Sequence, residues 1–163
     1  MNISTRMTAA VAAAIGMTGM SAATAGAEAA NGVMVPLTAF YRSCDFTVLQ
    51  FVAATGFGSG QSTIHSSGNS VTAQVNFAIG TPNTAYQVRL IQGPRPGTQK
   101  CIAGDPGVAS AVLHTDRNGT GSVTVTDTIE PWAKNAWVFM EGPPDPGQIR
   151  GEFYTSEILT AIN

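Results

Sequence analysis

Ser70-Val71-Thr72-Ala73-Gln74-Val75-Asn76-Phe77-Ala78-Ile79 is the stretch that decides the fold. Val71, Ala73, Val75, Phe77 and Ile79 fall on one side of an extended chain, and Thr72, Gln74 and Asn76 on the other. That period of two is the signature of a strand with one buried face. Thr81-Pro82-Asn83 breaks the run as a turn does. Ala85 to Gln92 then alternates again, with Tyr86, Val88 and Leu90 set against Gln87 and Arg89. Two such runs with a short polar connection predict a β-hairpin.

The same pattern extends in both directions. Upstream, Phe46 to Val52 is β-branched and aromatic with apolar residues on both faces, which predicts a central strand, and Gly56-Phe57-Gly58-Ser59-Gly60 is a loop. Downstream, Gly93 to about Val108 carries Pro94, Pro96 and Pro106, too many prolines for a strand. Ala109–Thr115 and Ser122–Ile129 are strands around Asp116-Arg117-Asn118-Gly119-Thr120-Gly121, where Asn-Gly supplies the two positive-φ positions of a tight hairpin. Trp137–Met140 and Ile149–Leu159 complete the set, separated by the rigid Gly142-Pro143-Pro144-Asp145-Pro146-Gly147 loop.

The chain is therefore expected to be all-β: a single antiparallel β-sandwich, Ig-like in architecture, of about seven strands, with a small barrel as the second choice. A true immunoglobulin domain would place a Trp between its cysteines, whereas Trp132 and Trp137 both follow Cys101.

The N-terminus reads differently from the rest. Arg6 is the only charge before Glu28, an Ala-, Met- and Gly-rich stretch runs from Met7 to about Ala23, and Ala25-Gly26-Ala27 supplies an A-x-A exit. These are the three parts of a secretory signal peptide. The apolar stretch is short and diluted by Thr8, Gly16, Thr18 and Gly19, unlike a spanning helix. The expected organisation is a signal peptide over 1–27, an N-terminal extension or first edge segment over 28–44, and the β-sandwich domain over 45–163. Ala29 offers an alternative exit. Cleavage after Ala27 takes 27 of the 163 residues and leaves 136, enough for one domain with a core.

Cys44 and Cys101 are the only cysteines, so one intramolecular pairing exists. Outside the cytoplasm a disulfide is the default reading, ahead of a metal pair or a catalytic thiol, since neither has His or Cys neighbours in sequence. Charged residues are only 11% of the chain and its formal charge is −2. A charge-poor, weakly acidic chain has no electrostatic footprint for nucleic acid or an anionic membrane, and nothing beyond the leader predicts stable membrane insertion.

Thr115-Asp116-Arg117-Asn118-Gly119-Thr120-Gly121-Ser122 matches the T-D-x-N-G-x-G hairpins of secreted bacterial β-proteins. With its Ala-rich leader and lone Cys pair, the chain resembles the small exported β-proteins of unknown function found in actinobacteria, mycobacteria among them. The resemblance implies export and a β fold, and brings no activity or site residues with it.

No stretch identifies a chemistry. Asp116-Arg117-Asn118-Gly119 lacks the further oxygen ligands of a calcium loop, having Asp127 where a bidentate Glu belongs. His65 and His114 are the only histidines, few for a metal site, so no metal and no cofactor is expected. No G-x-S-x-G elbow exists, and Glu130, Glu141, Glu152 and Glu157 read as solvated charges. Trp137, Phe139 and Phe153 read as core. The candidate binding residues are Trp132, as a partly exposed ring, Pro144 and Asp145 in the rigid loop, and Arg95 in the other Pro-rich loop, where it could meet an acidic partner. The expectation is a secreted, non-enzymatic protein that binds a ligand or protein partner at the cell envelope or in the medium. A secreted hydrolase of envelope polymer and a passive surface component are the alternatives.

Overall fold

A computed structural model describes residues 32–162, so the proposed leader and its cleavage site lie outside the described residues. The strands are β1 Val33–Thr38, β2 Ser59–Ser67, β3 Ser70–Ala78, β4 Ala85–Gly93, β5 Val108–His114, β6 Gly121–Thr128, β7 Asn135–Glu141, β8 Phe153–Ser156 and β9 Thr160–Ala161. All pairings among them are antiparallel, and the described residues contain no helix.

The all-β expectation holds, with a different closure. Hydrogen bonds run through one continuous sheet in the order β5-β4-β7-β8-β1-β2-β3-β6, with β9 added beside β7. β5 and β6, at the two ends of that order, are consecutive in sequence and joined by the turn between Thr115 and Thr120. The sheet therefore curls until its edges meet, giving a nearly closed barrel. One interior core confirms the closure, because every strand of the order contributes to it: Leu37, Ile64, Val75, Tyr86, Leu113, Val125, Val138 and Tyr154. An eight-stranded barrel has just this amount of interior, filled by side chains rather than open.

Several sequence expectations change as a result. Val71, Ala73, Val75 and Phe77 of β3 point inward as expected, but Ile79 lies past the strand with φ 60° and is exposed. β3 and β4 do not form a hairpin: β3 pairs β2 and β6, β4 pairs β5 and β7, and Thr81–Thr84 crosses the end of the barrel between them. β1 is no edge, since it is bonded to both β2 and β8, so the sheet begins well before residue 45. Asn118 does not take positive φ; only Gly119 does (φ 74°), and a Cβ there would lie 2.1 Å from the Gly80 carbonyl oxygen. The turn is a longer one, fastened by the Asp116 carboxylate, which accepts from the backbone N–H of Asn118 (2.7 Å) and Thr120 (2.9 Å).

Phe46–Val52 is not a strand. Phe46 has φ 72°, and the segment's one β-bridge is Arg42 with Val48. Together with the residues from Tyr41 it forms a lid, in which Phe46 and Val52 pack inward while Phe51 is left 84% exposed. It lies over the outer side of β7 and β8, where Phe46 meets Trp137 edge-on (centroids 5.3 Å) and Tyr41 meets Phe139 (5.4 Å) and Phe153 (5.1 Å). This makes a second core, with Ile91, Cys101, Val108, Trp137, Phe139 and Phe153 buried in it. It explains why β7 is buried on both faces: Ala136, Val138 and Met140 fill the barrel while Trp137 and Phe139 fill the outer layer. The Cys44–Cys101 disulfide (Cα–Cα 5.7 Å) ties the lid to the Pro-rich loop beside it.

Candidate functional site

β4 runs from Ala85 at one end of the barrel to Gly93 at the other, and β7 returns antiparallel, pairing Gly93 with Asn135 and Gln87 with Glu141. The end at which β4 begins is closed by a polar cluster centred on Glu152. The backbone N–H of Gly142, just past β7, donates to the Glu152 carbonyl (2.8 Å), which fixes Glu152 at the entry to β8. Its carboxylate accepts from the hydroxyls of Tyr86, Tyr154 (2.5 Å) and Thr81 (3.1 Å).

Tyr86 and Tyr154 point inward from β4 and β8, and both pack edge-on against Phe77 (centroids 5.1 and 4.8 Å). Each hydroxyl also accepts from a loop: Tyr86 from Thr81 N–H (2.9 Å), Tyr154 from Gly58 N–H (2.8 Å). Burial first, and then the hydrogen bond to Glu152, push both tyrosines above the ordinary phenol range, Tyr154 well above it. Gly56 (φ +102°) passes so close that a Cβ would lie 2.3 Å from the Tyr154 hydroxyl oxygen. Three loops are thereby held on one buried scaffold.

Above this scaffold lies a cleft of about 490 Å³ whose walls include Phe57, Asp145, Gln148 and Arg150, with Thr81 and Glu152 also lining it. Phe57 is 94% exposed. The Arg150 guanidinium sits 4.3 Å from the centre of the Tyr41 ring. An exposed aromatic face, an amide and both signs of charge around one concavity suit a polar ligand that also carries an apolar patch.

The four residues singled out from sequence do not form one surface. Asp145 lines this cleft, and Pro144 lines an adjoining groove with Gln87 and Ile149. Arg95 and Trp132 lie at the opposite end, past Gly93. Arg95 is buried (4% exposed), and its guanidinium donates to the carbonyls of Gln92 (2.9 Å), Lys100 (2.9 Å) and Pro106 (2.6 Å). A Pro-rich loop cannot satisfy its own carbonyls with a ladder, and the guanidinium fork does so instead. Arg95 is thus an internal clasp rather than a contact for an acidic partner. Trp132 is 38% exposed as expected, but it covers Arg95 (5.4 Å) and Gly107.

His114 ends β5 and His65 lies on the outer face of β2, on strands that are not neighbours, and neither lines the cleft. Among the described residues no three His, Cys, Asp or Glu are grouped to hold a metal ion. Sequence reasoning missed Phe57, Arg150 and the Tyr86–Glu152–Tyr154 cluster. Gly56-Phe57-Gly58, a lone aromatic between glycines in a loop, was the available signal for the first. Compared with known proteins, the chain matches no family model, no curated protein and no solved structure.

Proposed function

We propose that the protein is exported, loses residues 1–27, and acts without catalysis as a binding protein at the cell envelope or in the medium. Its ligand site is the cleft at the Glu152 end of the barrel. The single observation that carries this reading is Phe57, an aromatic ring left almost wholly in solvent, whose neighbour Gly58 donates its backbone N–H to the buried Tyr154 hydroxyl. Exposing a Phe ring forgoes roughly 2 kcal/mol of burial, and an exposed ring at the mouth of a cleft is available for a stacking contact with a ligand. The three-part leader and the Cys44–Cys101 disulfide support export. Among the described residues no helix is long and apolar enough to cross a membrane.

Amide chemical shifts of the labelled mature chain, recorded against a muramidase digest of the producing organism's cell wall, test the site. Shifts at Phe57, Gln148 and Arg150 are expected; shifts confined to Trp132 and its neighbours at the other end would refute it. The second reading, a secreted hydrolase of envelope polymer, draws on Asp145 and Glu152 lining one cleft. Against it, the Glu152 carboxylate is already engaged by three hydroxyls. Release of reducing ends from cell wall by the wild type and not by Asp145→Asn would establish that reading.

A further inference from the structure

The barrel has one wall that the lid leaves bare. On β2, β3 and β6 the side chains that point away from the core form rows across the three strands. Two of them are Gln61–Asn76–Ser122 and Thr63–Gln74–Thr124, set by the registers Gln61↔Asn76↔Ser122 and Thr63↔Gln74↔Thr124. A third, His65–Thr72–Thr126, is fastened by a hydroxyl–hydroxyl hydrogen bond between Thr72 and Thr126 (3.0 Å). Asp127 is no exception, because it alternates to the other face and accepts from the buried Gln92 amide (2.8 Å). No Asp, Glu, Lys or Arg projects from this face of the three strands. A charge-free face is an unusual solution for solvent exposure, where both signs of charge ordinarily keep a surface soluble.

At the Glu152 end the face deepens into a groove of about 470 Å³, floored by Gly60 and Gly121 and walled by Gln61, Asn76 and Ser122. Hydroxyl and amide groups spaced by about 4.8 Å between strands and about 6.7 Å along them offer repeated donors and acceptors with no ionic preference. Such an array matches a long ligand that is itself neutral and carries hydroxyl or amide groups at repeated intervals. It mismatches an ionic partner, whose charges would lose hydration with no opposite charge to meet.

We infer that the β2–β3–β6 face is a second binding surface, distinct from the cleft, and that it takes an extended neutral polysaccharide laid across the strands from the Gln61–Asn76–Ser122 groove. The test is depletion of the folded mature chain from solution by two insoluble neutral polymers, microcrystalline cellulose and chitin. Retention on at least one is expected, and it should persist at 0.5 M salt, about three times physiological ionic strength, because no charge pair is there to be screened. The double substitution Gln74→Lys with Thr124→Lys leaves the core untouched, and an unchanged Trp137 emission checks that it folds. It should weaken retention roughly tenfold, while Phe57→Ala should not.

Three results overturn the inference. The first is no retention on either polymer. The second is equal retention by the lysine variant, or a loss seen only with Phe57→Ala, which would place glycan binding in the cleft. The third is a wild type that sediments as a dimer and a lysine variant that sediments as a monomer, which would make the face a contact between copies.

Discussion

Arg95 shows how a charge can be buried without an ionic partner. Its three loop carbonyls carry partial negative charge toward the guanidinium, and burial still lowers its pKa from the ordinary value, with Asp105 and Glu130 opposing the shift. Arg95→Ala would leave those carbonyls without their donor and is expected to cost about 3 kcal/mol in urea unfolding. Arg95→Lys should recover little, since an ammonium lacks the planar fork. A variant as stable as wild type would mean that water replaces the clasp.

Asp116 is fully exposed and works locally. Hydrogen bonds from the backbone of Thr120 and Asn118 hold its carboxyl below the usual range. The folded value lies below the unfolded one, so the stabilisation is present above the ordinary aspartate pKa of about 3.9 and fades as the pH falls through the lowered value. Asp116→Asn should flatten the acid limb of thermal stability between about pH 5 and pH 2. The turn was legible in Asp116-Arg117-Asn118-Gly119 because Gly119 must take positive φ. The part played by Asp116 was not, because it lies in side-chain geometry that no spacing rule encodes.

At the scale of elements, the tyrosine–carboxylate cluster sets a response at the other end of the pH range. Tyr86 and Tyr154 have folded pKa values above the unfolded one, so their contribution is complete below about pH 10, the ordinary tyrosine value, and is lost as the pH rises beyond it. Phenolate absorbance should therefore show these two rings titrating late or together with unfolding. Tyr154→Phe should move the onset of alkaline unfolding upward even if it lowers stability at neutral pH. An unfolded-like titration of every tyrosine at neutral-pH stability would contradict the buried cluster.

The disulfide acts at the same scale. The lid over Trp137 and Phe139 has a single β-bridge of its own, so Cys44–Cys101, 57 residues apart in sequence, anchors it. Cys44→Ser with Cys101→Ser should remove about 4 kcal/mol and render Trp137 accessible to acrylamide, which in the wild type should quench Trp132 alone. Phe46–Val52 shows why this lid was misread. Apolar residues on both faces read as a strand buried on both sides, but only Phe46 and Val52 pack onto the outer core while Phe51 stays 84% exposed, a one-sided burial that composition does not reveal.

For the molecule as a whole, strand existence was legible from Ser70 onward but not at β2, whose first residues Ser59 and Gly60 were read as loop, and strand partnership was not legible. β3, β4, β5 and β6 follow from alternation in the sequence, and β7 from its apolar run, but period two fixes which side of a strand is buried without fixing what lies across from it. A hairpin between β3 and β4 and a crossing at Thr81–Thr84 have the same local sequence. The choice between sandwich and barrel rests on whether β5 and β6 meet, a property of accumulated twist. The cleft was half legible: Asp145 was singled out for its rigid loop, whereas Glu152 gained its place only when β4 and β8 brought Tyr86 and Tyr154 to one end.

Binding at that end is the central claim, and native mass spectrometry tests it most directly, on wild type and on Phe57→Ala with Arg150→Ala, each recovered undenatured from the producing organism's culture fluid. The account predicts a chain that begins after residue 27, lacks two hydrogens for the disulfide, and carries a reproducible additional mass that the double variant loses. A wild-type chain of bare mass, or an additional mass that the variant retains, would contradict it.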